Sequence, residues 1–183
     1  MRMVATALLL LVTAGLLAQD RDWVRMWDEA QRGRPRTVPS TARIAPPSEP
    51  GTPLVVHGRI VGRDGKTPAA NVIVFAYHTD ATGVYHRRGA RGWRLRGWAK
   101  TDAAGRFVLQ TIRPAPYPDN RVAAHIHFTI EGPALPRRWT RDLQFAGDPF
   151  LTERERGTAA KVTTRGGVQH VNYLVRITDE GRF

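Results

Sequence analysis

The chain has 183 residues, 42% of them hydrophobic and 24% charged, which are the proportions of a globular domain with a core of its own. It contains no cysteine, and this excludes a disulfide framework, a thiolate metal site and a cysteine nucleophile. The formal net charge of +12 comes mostly from arginines scattered along the chain without a recognition motif, which argues against nucleic acid as a partner and suits attraction of anionic substrates.

Met1-Arg2-Met3 gives a short positive start, and Val4 to Ala18 is an unbroken run of apolar, small and threonine residues followed by Gln19-Asp20-Arg21-Asp22. This layout predicts a secretory signal over residues 1–18, with Leu16 and Ala18 at the −3 and −1 positions, and hence an exported protein, periplasmic or secreted. An uncleaved anchor is the alternative, and membrane attachment is expected only in that case, because the run is short for a membrane span.

Residues 19–53 form the next segment. Trp23, Val24, Met26 and Trp27 recur at helical spacing, which predicts one short amphipathic helix over Asp22 to Gln31, ended by Gly33 and Pro35. Residues 33–53 are rich in proline, serine, threonine and arginine and read as a linker or extended arm.

From Leu54 the texture changes, and residues 54–180 are expected to form one all-β domain, an antiparallel β-sandwich. Leu54 to Val61 is β-rich and runs into a Gly62-Arg63-Asp64-Gly65-Lys66 turn, whose Asp-Gly pair is a hairpin signal. Asn71 to Tyr77 reads as a strand. Thr101 to Gly105 is a second turn, leading into the alternating Arg106 to Ile112. His125 to Ile130 is a further strand, and Val168 to Ile177 is the last, with Val171, Tyr173 and Val175 on one face.

The chemistry concentrates at His125-Ile126-His127-Phe128-Thr129-Ile130. Side chains alternate along a strand, so Ile126, Phe128 and Ile130 are expected in the core and His125, His127 and Thr129 on the opposite face. Two imidazoles at this spacing can share a metal; alone, the motif equally describes two histidines on a solvated face. Tyr85 sits in a loop after a strand, and Tyr117 sits just before the His-x-His strand among Pro114, Pro116 and Pro118, each of which fixes a φ angle. Phenolate oxygen is a hard anionic donor that suits ferric iron. Two phenolates also lower the charge of such a centre and make it hard to reduce, so it would act on a bound substrate as a Lewis acid.

The stretch from Gly58 to Pro149 resembles the catalytic domain of the intradiol ring-cleavage dioxygenases, the protocatechuate and catechol dioxygenases. The resemblance rests on an ordered set of segments. These are Pro68 to Val72, Thr79 to Tyr85, Leu95-Arg96-Gly97 with Thr101 to Phe107, Thr111 to Pro118 with His125 to Phe128, and Phe145-Ala146-Gly147-Asp148-Pro149. It implies a prealbumin-like sandwich and a ferric iron, Fe(3+), held by Tyr85, Tyr117, His125 and His127. The implied reaction cleaves a catechol-type ring with O2 between the two hydroxyl-bearing carbons to give a muconate-type diacid, with Tyr117 also accepting a substrate proton.

Two positions depart from the family pattern. Where the family has an arginine three residues before the first histidine this chain has Val122, with Arg121 one place earlier as the substitute expected to stabilise the activated ring. The family glutamine before Phe145 is replaced by Asp142, with Gln144 two residues on. Two other readings stay open. Gly58-x-Ile60-x-Gly62 and the later turns also resemble non-catalytic transthyretin-like or carboxypeptidase-regulatory modules, and His125-x-His127 with Glu131 and His170 matches part of a cupin motif. The choice of catechol and the formation of a homo-oligomer are left open.

Overall fold

The computed structural model describes residues 24–86 and 92–179. The expected export signal lies outside these residues. The chain divides into two compact units, residues 1–34 and 35–183. In the first, a helix (α1) covers residues 24–32 and buries Trp27 and Ala30 while leaving Val24 exposed, as the spacing predicts. Gly33 and Arg34 close it by donating back to Ala30 O and Gln31 O.

The second unit is mostly β, and its described residues form ten strands in two sheets. In chain order they are β1 (Thr41–Arg43), β2 (Pro53–Val61), β3 (Ile73–His78), β4 (Leu95–Lys100), β5 (Arg106–Ile112), β6 (His125–Gly132), β7 (Leu135–Trp139), β8 (Leu143–Gln144), β9 (Val162–Arg165) and β10 (Val168–Arg176), with a short helix, α2 (Glu153–Arg156), before β9. One sheet has the order β1-β5-β2-β10-β9; the other has β4-β3-β6-β7, with β8 also paired to β6.

The antiparallel expectation holds for the second sheet. The first is mixed, because β10 runs parallel to β2 and β1 runs parallel to β5. Pairing order, unlike the period of a strand, is decided by distant segments. The Asp64-Gly65 turn forms, with Gly65 at φ +71° and Asp64 Oδ1 accepting from the Lys66 and Thr67 amides, and it closes a short antiparallel hairpin in which Val61 pairs with Pro68, the Gly62 amide donates to Thr67 O and the Ala69 amide to Ile60 O. It carries the chain from one sheet to the other. The arm contributes β1, and Ile44 and Ala45 enter the core behind it.

The core lies between the sheets. Val56, Ile60, Leu109, Val171 and Val175 face Val74, Ala76, Ile126, Phe128 and Ile130, all essentially excluded from solvent. Phe128 stacks on Tyr173 with centroids 4.5 Å apart. Each valine, leucine, isoleucine or phenylalanine among them contributes about 1.5–3 kcal/mol on burial. Gly58 sits beneath the Phe107 ring, where an added Cβ would come within 2.0 Å of it. Fully buried His78 ties the sheets at one end: its Nδ1–H donates to Thr79 O and its Nε2 accepts from Thr111 Oγ1 of β5, both at 2.6 Å.

Candidate metal centre

The second sheet turns its other face to an aromatic layer, and the histidines emerge there. Ile126, Phe128 and Ile130 fill the core as the alternation requires, while His125 and His127 project from the opposite side of β6. Tyr77, the register partner of His127 on β3, stacks on its imidazole at 4.6 Å and on Trp93 at 3.8 Å. Trp139 meets His127 edge-on at 6.3 Å. These rings fix the His127 rotamer by packing.

Two loops bring the tyrosines to the same point. After β3, Asp80 Oδ1 accepts from the Thr82 amide (2.8 Å), Thr82 Oγ1 (2.7 Å) and the Val84 amide (3.3 Å). Burial opposes ionisation of Asp80, but these bonds and one from Arg94 outweigh it and hold its carboxyl below the usual range. The Arg94 guanidinium bridges Asp80 (3.1 Å) and Glu49 (2.8 Å), and the Arg94 amide donates to Tyr85 O. The proline-rich loop is fastened to the first loop where the Ala115 amide donates to Asp80 O and Thr79 Oγ1 donates to Ala115 O. Gly83, at φ +82°, fits where a Cβ would meet Pro116 O at 2.1 Å. The Phe145 to Pro149 segment fixes the entry to β6, since buried Asp148 Oδ2 accepts from the Ala124 amide at 3.0 Å.

The outcome is a ring of four donor atoms. Tyr85 Oη lies 2.6 Å from Tyr117 Oη and 2.9 Å from His127 Nε2; His125 Nε2 lies 2.9 Å from His127 Nε2 and 3.3 Å from Tyr117 Oη. His125 Nδ1–H donates to Ala123 O (2.7 Å) and His127 Nδ1–H donates to Asp142 Oδ1 (2.9 Å). In the neutral tautomers these bonds select, both Nε2 atoms carry lone pairs, and these face each other across 2.9 Å. Four close contacts join these atoms and two phenol protons can bridge only two of them, whereas a cation at the centre satisfies all four atoms. Burial pushes both phenols above their ordinary value, Tyr85 further with Tyr117 beside it. Burial, with His127 nearby, pushes His125 below its ordinary value. Imidazole nitrogens turned to a common point, and phenols that need a neighbouring positive charge to ionise, are a donor set that suits a hard metal ion.

His125, His127 and Asp142 also form a cluster of metal-binding types. Asp142 contacts Nδ1 of His127, the nitrogen turned away from the other three donors, so it orients the imidazole and leaves Nε2 for the ion. Sequence reasoning singled out Asp142 only as a replaced glutamine; the signal for its role was a carboxylate on the segment that pairs back onto the His-x-His strand. Gln144 is on β8 opposite His125, and its Nε2 donates to Glu155 Oε1 at 2.6 Å. Arg121 is exposed, and its amide donates to Asp119 Oδ1; among the described residues no hydrogen bond joins its guanidinium to the four donors. Glu131 accepts from Arg137 at 2.8 Å, and His170 belongs to the other sheet beside His57, so the cupin pattern is not assembled.

A mostly β domain that gathers two phenols and two imidazoles at one point defines a recognisable class, and the dioxygenase family model matches residues 30–165. A catechol 1,2-dioxygenase from Acinetobacter lwoffii is 31% identical over 128 residues, covering 60% of this chain and 46% of the relative. The protocatechuate 3,4-dioxygenase β chain of Burkholderia cepacia is 34% identical over 113 residues, covering 55% and 48%. Among solved structures, the dioxygenase domain of a carbohydrate-binding fusion protein from Streptomyces sp. SirexAA-E superposes with TM-score 0.63 at 27% identity, covering 78% of this chain and 90% of that one. The 3-chlorocatechol 1,2-dioxygenase of Rhodococcus opacus 1CP has the same fold, with TM-score 0.65 at 24% identity, covering 79% and 66%. The chain belongs to the intradiol ring-cleavage dioxygenase family. It spans about half the length of the curated relatives it matches.

Proposed function

We propose that this protein cleaves catechol-type aromatic rings with O2 between the two hydroxyl-bearing carbons, using ferric iron held by Tyr85, Tyr117, His125 and His127 in a prealbumin-like sandwich. The observation that carries the reading is the convergence of four donor atoms, with both histidine Nε2 lone pairs aimed at a common point. When bound, the iron supplies Lewis acidity toward both catechol oxygens. Everything else falls to the chain. Tyr77 and Asp142 hold His127 in one orientation, and Ala123 O does the same for His125. Tyr117, half-buried, would accept one catechol proton at Oη when ionised. Catechol plus O2 gives cis,cis-muconic acid with both oxygen atoms retained, so no external reductant enters the balance.

The proposal is tested by mixing the iron-loaded protein with catechol and following O2 uptake together with the ultraviolet band of cis,cis-muconate. Stoichiometric uptake with that product supports it; no uptake, or a yellow semialdehyde from cleavage beside the diol, overturns it. The apolar run before Gln19 supports a second proposal, that the protein is exported. Amino-terminal sequencing of the protein recovered outside the cytoplasm should begin at Gln19, and recovery of the protein only from the cytoplasm, with Met1 retained, would contradict it. No helix among the described residues is long and apolar enough to cross a membrane.

A further inference from the structure

The first sheet keeps an uncovered face on the side opposite the donor cluster, and its charges are arranged unusually. Arg59 of β2 and Arg106 of β5 are register partners, so two guanidinium side chains leave the same face directly opposite each other. Like charges in that relation destabilise a sheet. One residue pair along, His57 Nε2 lies 3.1 Å from His170 Nδ1 of β10, with rings stacked at 5.4 Å. Thr163 faces His170 from β9, and the period-two alternation puts Arg165 on that side too, with Lys161 entering the same strand. Two adjoining hollows, of about 330 and 380 Å³, cross these strands and share His57 and Asn172.

Among the described residues no carboxylate lines either hollow. Elsewhere three acids pair arginines, Glu49 and Asp80 with Arg94 and Glu131 with Arg137. Here four cationic side chains and two imidazoles share a face without one. Burial lowers the His57 imidazole from its ordinary value, and the nearby His170 and Arg165 lower it further.

We infer that this face binds a small multiply charged oxyanion, with Arg59 and Arg106 gripping one anionic group and Arg165 and Lys161 another, His57 and His170 lying between. Guanidinium pairs are suited to bidentate recognition of phosphate or carboxylate oxygens. Arg59 and Arg106 lie on β2 and β5, and Arg165 and Lys161 on or just before β9, with β10 between; at about 4.8 Å per strand this separation selects a ligand with at least two such groups over a monoanion. The site is independent of the iron reading, since it uses the other sheet and none of its residues.

The test uses the full chain at fixed ionic strength, titrated with tripolyphosphate and, separately, with citrate, while backbone amide and histidine ring NMR signals are recorded. Saturable shifts confined to His57, His170, Asn172 and their strand neighbours are expected with at least one of the two anions, and the stronger of the two identifies phosphate or carboxylate chemistry. Arg59→Gln and Arg165→Gln, both at exposed positions, should each weaken binding at least tenfold with the folded spectrum unchanged. Shifts that never saturate with either anion, or affinity unaltered in both variants, would overturn the assignment.

Discussion

His127 Nδ1 donates to Asp142 Oδ1 at 2.9 Å while Nε2 of the same ring lies 2.9 Å from Tyr85 Oη. One imidazole is therefore held between an orienting carboxylate and the donor cluster. Carboxylate partners of this kind fix the tautomer and raise the basicity of the ligating nitrogen. Asp142→Ala is expected to weaken iron binding by about 10–100-fold. Asp142→Gln, which can still accept from Nδ1, should recover most of that loss. Iron affinity by competition with a chelator checks both, and equal affinity in Asp142→Ala and the parent would show that the carboxylate has no part in the site.

Gly83 concerns the meeting of the two tyrosine loops. Its φ of +82° and the Pro116 carbonyl at 2.1 Å from any Cβ leave room for nothing larger. Gly83→Ala should cost about 1–3 kcal/mol through backbone strain alone. Because the clash falls on the contact that brings Tyr85 to Tyr117, iron should be lost before the fold. Thermal denaturation by circular dichroism alongside iron content reads the two effects separately; full iron occupancy in a destabilised variant would contradict this account of Gly83.

The acid limb of stability should report His78. Burial lowers its imidazole from 6.5 to about 4 in the folded chain, against which its bond to Thr79 O works only in part. The folded value lies below the unfolded one, so the unfolded chain binds more protons between the two. The stabilisation from a neutral His78 is thus complete above about pH 6.5 and is lost as pH falls toward 4. The loss should be on the order of 3 kcal/mol. Urea melts across this window should show the slope, and His78→Gln should flatten it while lowering stability at neutral pH.

Much of the site could be read in the sequence because strand periodicity is local. His125 and His127 had to share a face once Ile126 and Phe128 claimed the core, and prolines around Tyr117 announced a stiff loop. What lay behind that face could not be read. Tyr77, Trp93 and Trp139 come from three separate segments, and only strand pairing assembles them beneath His127. The first sheet was misjudged for the same reason: the parallel pairing of β10 with β2 joins segments more than a hundred residues apart. β1 was hidden because Pro39, Pro46 and Pro47 gave the arm the composition of a linker, although an edge strand needs only one partner. Arg121 was chosen for its proximity to the family position, and the loop leaves it in solvent.

The central claim is phenolate ligation of ferric iron, and the visible absorption spectrum of the purified protein, taken with an iron assay, tests it most directly. The account predicts a red-brown protein with about one iron per chain, whose band weakens in Tyr85→Phe and in Tyr117→Phe and shifts when catechol is added. A colourless protein that takes up no ferric iron under oxidising conditions would contradict it and leave the donor cluster without the ion its geometry requires.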